Sequence, residues 1–202
     1  NKKMSKSLGN MVTLKDLRTE YPGEVLRYAL LSAQYRSPLA WSTDLLDQAA
    51  RSLDTLYQAL RTAGELHNLR IEYFRQTVFE DLPERVMKPL TDDLNTPQAL
   101  AAMHAIATDM NKADNPEEKV RLAEQLLASG WILGILNDDV DAHFTAGAGV
   151  DAAEVESLIE ARKQARADHD FARADQIRDD LYARGIELED TREGTRWKLI
   201  TN

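Results

Sequence analysis

At 202 residues and 43% hydrophobic content, the chain is long enough to bury one proper core with a small second domain beside it. It contains no cysteine, which excludes disulfides and thiolate zinc sites within it, and no stretch approaches the roughly 18 uninterrupted apolar residues of a membrane span. A net charge of −9 excludes a surface that tracks phosphate everywhere and leaves room only for a specific, locally arranged nucleic-acid site.

Residues 1–12 read as loop, and within them stands Lys3-Met4-Ser5-Lys6-Ser7 followed by Leu8-Gly9-Asn10. Two lysines around a small hydroxyl residue, with a glycine hinge behind, suit a strap over a triphosphate, where ammonium groups stabilise charge leaving as pyrophosphate. Thr13 then caps a short helix with Asp16 at its third position, ending at Pro22-Gly23. From Gly23 to Tyr35 the spacing of Val25, Leu26, Ala29, Leu30 and Ala33 predicts a helix buried on one face. Pro38 makes 35–41 a turn.

Ser42 or Thr43 opens a long amphipathic helix carrying Leu45, Leu46, Ala49, Leu53, Leu56, Tyr57 and Leu60. After a less regular stretch, a helix is expected near Leu82 to Leu90. Thr96-Pro97 starts another, with Leu100, Met103, His104, Ile106, Ala107 and Met110 as its stripe. Asn115-Pro116 opens a third, running through Leu122, Leu126, Trp131 and Leu133 to about Leu136. An antiparallel bundle over 23–136 is the natural packing of these stripes.

Residues 137–151 change character, acidic and then rich in glycine and alanine, and read as a linker. Beyond it, Ala152 to Ala167 and Asp170 to Ala183 form a helical hairpin turning at Asp168-His169, with Gly185 as a left-handed cap. Ile186 to Glu189 and Thr195 to Ile200 alternate around a turn and finish the chain as a β-hairpin. The expected fold is therefore mainly α: a helical bundle followed by a small α+β module. No βαβ alternation is present to carry a nucleotide-binding sheet, and no His-x-Gly-His turn occurs. The chain is thus expected to be the C-terminal part of a longer enzyme.

The motif at 3–7 is also the second signature of class I aminoacyl-tRNA synthetases, which the chain resembles from its start. Three further stretches resemble cysteinyl-tRNA synthetases in particular. They are Glu24 to Ser32 leading into Tyr35-Arg36-Ser37 and Trp41-Ser42; Asp92-Asp93-Leu94-Asn95-Thr96-Pro97-Gln98-Ala99; and Asp170 to Leu181 with Gly185-Ile186, Leu188-Glu189-Asp190 and Gly194-Thr195-Arg196-Trp197. The resemblance covers nearly the whole chain in order.

It implies an intact enzyme that joins cysteine to the α-phosphate of magnesium-bound ATP and passes cysteinyl to the terminal adenosine of tRNA-Cys. Lys6 is then the catalytic lysine, with Lys3, Met4, Ser5 and Ser7 shaping the ATP loop. The family's zinc, which selects the thiol, has its ligands upstream, and no metal ligand set is expected here. Arg166, Asp175 and Asp190 match positions used at the anticodon, and Phe171 replaces a tryptophan common there. Arg196 and Trp197 are added as a donor and a stacking face, because unstacked bases are read by aromatic faces and by hydrogen bonds to their edges.

Read this way, residues 1–22 end the catalytic domain, 23–136 form the bundle, 137–151 the linker and 152–202 the anticodon module. A cytoplasmic monomer is expected, with no membrane contact. The 202 residues alone are expected to be inactive in adenylate formation for want of the sheet. Two alternatives remain at this point: a non-catalytic tRNA-binding fragment, and a paralogous ligase joining cysteine to an amino sugar.

Overall fold

The computed structural model describes residues 13–64, 82–145, 152–191 and 194–200. Two compact units divide the chain, Asn1–Asp138 and Asp139–Asn202. Among the described residues the architecture is mainly helical, with one two-stranded antiparallel sheet.

The first unit holds α1 (Leu14–Leu17), α2 (Gly23–Leu31), α3 (Thr43–Arg61), α4 (Glu84–Thr91), α5 (Thr96–Lys112) and α6 (Pro116–Leu133). Short polar side chains start several of them. Thr13 and Asp16 exchange bonds in a capping box on α1, Ser42 accepts from Leu45 N on α3, and Asn115 accepts from Glu117 N on α6. On α5 the cap is Asn95. The Thr96 hydroxyl, freed from that task, donates to Leu31 O at 2.8 Å and ties the start of α5 to the end of α2.

Helix α5 packs against α2, α3, α4 and α6, and α3 also meets α2 and α6. The core they share contains Leu53, Leu56, Tyr57, Leu60, Met103, Ile106, Met110 and Leu126, all fully buried. Leu30, expected inside, is exposed, because it sits at the margin of the α2 stripe, beyond the neighbours that cover Val25, Leu26 and Ala29. Tyr28 and His104 join α2 to α5 through Oη and Nε2 at 2.8 Å.

The end of α6 is closely fitted. Gly134 takes the left-handed conformation at φ 71°, and Ile135 N donates to Gly130 O at 2.9 Å. A Cβ on Gly134 would lie 2.9 Å from Arg27 Nη1, and one on Gly130 only 2.6 Å from Ile135 O. Just beyond, Asn137 N donates to Glu24 Oε1 at 3.1 Å and Asp138 N to Tyr57 Oη at 3.2 Å. Tyr57 Oη in turn donates to Glu24 Oε2 at 2.9 Å. Burial, together with the Glu24 charge, pushes the Tyr57 phenol well above its usual range.

The second unit comprises α7 (Val140–Thr145), α8 (Ala152–Ala167), α9 (Phe171–Ala183), β1 (Ile186–Asp190) and β2 (Thr195–Leu199). Helix α7 lies in the stretch read from sequence as linker. Asp139 Oδ1 starts it by accepting from Asp141 N and Ala142 N, Val140 and Phe144 are buried, and the helix packs against β2. The rest of that stretch, 146–151, lies outside the described residues.

The strands pair antiparallel, with Ile186 opposite Leu199, Leu188 opposite Trp197 and Asp190 opposite Thr195. Alternation puts these residues on one face, and Val155, Ile159, Leu181, Ile186 and Trp197 close the core of the module against α8 and α9. On the other face Lys198 Nζ bridges Glu189 at 2.7 Å and Glu187 at 3.2 Å.

Candidate nucleic-acid interface

Chain reversal between α8 and α9 depends on two local devices. His169 takes a left-handed φ of 61°, and the Asp170 side chain accepts from Arg173 N at 3.1 Å to cap α9. Phe171 follows as the first residue of that helix. Its side chain has nothing to cover it there: it is 58% exposed, with its ring 6.0 Å from the His169 ring. Two rings stand in solvent at the end of a helical hairpin, a surface on which a flat base can stack.

Arg166, in the last turn of α8, belongs to the same end of the hairpin. The tip of the β-hairpin is fastened beside it by Asp190. Arg162 donates to both carboxylate oxygens, Nη1 to Oδ1 and Nη2 to Oδ2, each at 2.9 Å. Arg166 Nη1 donates to Oδ2 at 3.1 Å and Thr195 Oγ1 to Oδ1 at 2.8 Å. The Arg162 guanidinium, helped by the Thr195 hydroxyl, holds the Asp190 carboxyl well below the usual carboxylate range. Asp190 in return raises Arg162, with a further contribution from Asp175, an exposed residue one turn along α9 that lies 3.6 Å from Arg178.

The structure thus places Arg166, Phe171, Asp175 and Asp190 toward one end of the module. Both carboxylate oxygens of Asp190 are engaged by protein donors. Trp197 was expected as a stacking face. It is 5% exposed in the module core, with its indole N–H donating to Glu156 Oε1 at 3.0 Å, so its ring is not offered to a base. Arg196 stands opposite Glu189 on the far face of the sheet, outside the cluster.

Arg162 is the buried half of the central ion pair. No spacing rule announces that, because its partner lies 28 residues away. The ATP-loop candidates Lys3, Met4, Ser5, Lys6 and Ser7 lie outside the described residues. Among the described residues no three metal-ligating side chains converge, and with no cysteine available a zinc ion has no seat there. No helix among them is long and apolar enough to cross a membrane.

Comparison with known proteins finds three family matches along the chain. Residues 1–51 match a family described as the class I (C) tRNA synthetase catalytic domain, residues 85–137 match the DALR domain, and residues 152–197 match the cysteinyl-tRNA ligase anticodon binding domain. A cysteine–tRNA ligase of Xanthomonas campestris is 46% identical over 97% of this chain and 41% of its own length. The chain matches the C-terminal portion of cysteinyl-tRNA synthetases. Other cysteine–tRNA ligases align in the same way. The cysteine–tRNA ligase of Paramagnetospirillum magneticum is 44% identical over 97% of this chain and 42% of its own length. That of Parvibaculum lavamentivorans is 43% identical over the whole chain and 42% of its own length. The chain therefore spans about two-fifths of these synthetases, corresponding to their C-terminal part. The Phe171–Arg166–Asp190 cluster falls inside the anticodon-domain match, and Glu24, Tyr35 and Arg36 fall inside the catalytic-domain match.

Proposed function

We propose that the chain serves as the C-terminal portion of an enzyme that activates cysteine with ATP and transfers it to tRNA-Cys. In that enzyme the cysteine carboxylate attacks the α-phosphorus and pyrophosphate leaves; a ribose hydroxyl of the terminal adenosine then attacks the carbonyl of the adenylate, and AMP leaves. Lys6 neutralises the departing pyrophosphate, and Lys3, Met4, Ser5 and Ser7 shape the loop that carries it over the magnesium-bound phosphates. Zinc, where the intact enzyme holds it, supplies a Lewis-acid contact that distinguishes a thiol from a hydroxyl. The C-terminal module reads the anticodon, with Phe171 as its stacking face, Arg166 as its donor and Asp175 as an accessible acceptor.

One observation carries this reading. The three family matches follow in the order catalytic domain, DALR domain, anticodon binding domain, and the last contains Phe171, a ring left 58% exposed at the start of its helix. A cysteine–amino-sugar ligase has no use for such a base-reading surface. The 202 residues alone act as the RNA-binding part, without adenylate formation.

Two measurements test the proposal. The chain binds a tRNA-Cys anticodon stem-loop more tightly than one with altered anticodon bases; equal binding rejects the module's role. In the full-length protein, Lys6→Ala lowers cysteine-dependent pyrophosphate exchange by about a hundredfold or more, the loss typical of one electrostatic contact to a transition state. Cysteine affinity is expected to stay near its original value. An undiminished exchange rate refutes the catalytic assignment.

A further inference from the structure

We infer that Tyr28 and His104 form an acid-sensitive tie between α2 and α5, which weakens when His104 takes up a proton. Tyr28 falls inside the catalytic-domain match and His104 inside the DALR match, so their 2.8 Å bond crosses from one matched segment to the other. The two rings meet edge to face, with centroids 6.3 Å apart. Tyr28 is 6% exposed, and His104 is half-buried. Other bonds across the same seam lie at the helix ends: Thr96 Oγ1 donates to Leu31 O, and Tyr35 Oη donates to Asp93 Oδ1. Tyr28–His104 joins the bodies of the two helices.

A neutral imidazole keeps one nitrogen lone pair free, so Nε2 can accept the phenol proton of Tyr28. An imidazolium carries N–H on both nitrogens and accepts nothing. Proton uptake therefore forces the phenol to turn its hydrogen away.

It also sets a positive charge where nothing balances it. A cavity of about 420 Å³ opens between α2, α3 and α5, with both rings on its wall. Facing His104 across it, α2 offers Tyr28 and Ser32, and α3 offers Gln48 and Ser52 as its polar groups. Among the described residues no carboxylate, lysine or arginine lines the cavity, Tyr28 is the one other titratable group there, and α4 and α6 add nothing to it. Burial accordingly holds the imidazole below the usual histidine range. The cavity is partly open to solvent, so the ring equilibrates with bulk pH while the bundle stays folded.

The pH window follows from the direction of that shift. The contribution of His104 to stability is fully present above the ordinary value of 6.5, and it is lost as pH falls from there through the folded value, because the unfolded chain protonates first. This window lies above the one in which Asp190 loses its ion pairs.

Urea denaturation of the 202-residue chain at about pH 7.5 and about pH 5 tests the tie, with His104→Gln as the side chain that takes no proton. Between the two conditions the wild-type folding constant is expected to fall severalfold more than that of the variant. Equal falls overturn the inference, because the other histidines remain in both proteins. Should His104→Gln fail to fold, NMR follows the wild-type imidazole directly, assigned through its contact with the Tyr28 ring. A titration midpoint below 6.5 is expected, and one at or above 6.5 means that the site accepts the charge and the inference fails. Tyr28→Phe keeps the ring but removes the hydroxyl, and it is expected to move that midpoint upward. An unmoved midpoint means that burial acts without the phenol, and the tie is rejected.

Discussion

Phe171 is a large ring that folding leaves in water, and its removal separates stability from recognition. The Phe171→Ala variant is expected to melt with the parent chain, since the ring covers no core. Its affinity for the anticodon stem-loop falls by the worth of one stacked base, about 1–3 kcal/mol, or roughly 5- to 150-fold in Kd measured by anisotropy. Asp190 predicts a pH effect. Its carboxyl is depressed in the folded state, so the stabilisation is complete above the ordinary value of 3.8 and is lost as pH falls below that through the folded value. Denaturation midpoints compared above and below pH 4 are expected to show this acid-side loss, reduced in Asp190→Asn. Both residues were visible in the sequence as candidates. What the sequence left open was whether each side chain was still available. Trp197 and Asp190 had already been engaged by Glu156 and Arg162, and those encounters arise only when the two hairpins pack.

Helix boundaries were legible where a cap residue marks them, as at Thr13, Ser42, Asn115 and Asp170, because a side chain bonded to its own backbone is a local event. Helix α7 was not. Six residues make less than two turns, too few for a period to emerge, and its burial is supplied by β2. The end of α6 shows the same dependence on a neighbour. Gly134 looks like an ordinary left-handed cap in sequence, yet Arg27 lies against the space a side chain would need. The Gly134→Ala variant is therefore expected to cost about 1–2 kcal/mol from φ alone, plus whatever moving Arg27 requires. Chemical denaturation of the chain measures it; an unchanged midpoint means the turn accepts a side chain freely.

An acidic protein that binds RNA must do so with few phosphate contacts. Many cations of the C-terminal module are already matched by carboxylates: Lys163 with Glu160, Arg178 with Asp175 and Asp179, Arg184 with Glu154, and Lys198 with Glu187 and Glu189. The logarithm of stem-loop affinity is accordingly expected to fall with the logarithm of salt at a slope of about −2, as for roughly three phosphates on single-stranded RNA. A slope several times steeper points to a basic surface that this arrangement does not provide. The bonds from Asn137 and Asp138 to Glu24 and Tyr57 have a practical consequence for dissection by truncation. A bundle ended at Leu136 keeps every apolar contact of α6 but strips a half-hidden carboxylate and a buried phenol of the amides that meet them. Two more residues, through Asp138, restore those donors, so the shorter piece is expected to be the poorer one to express although it discards no hydrophobic side chain.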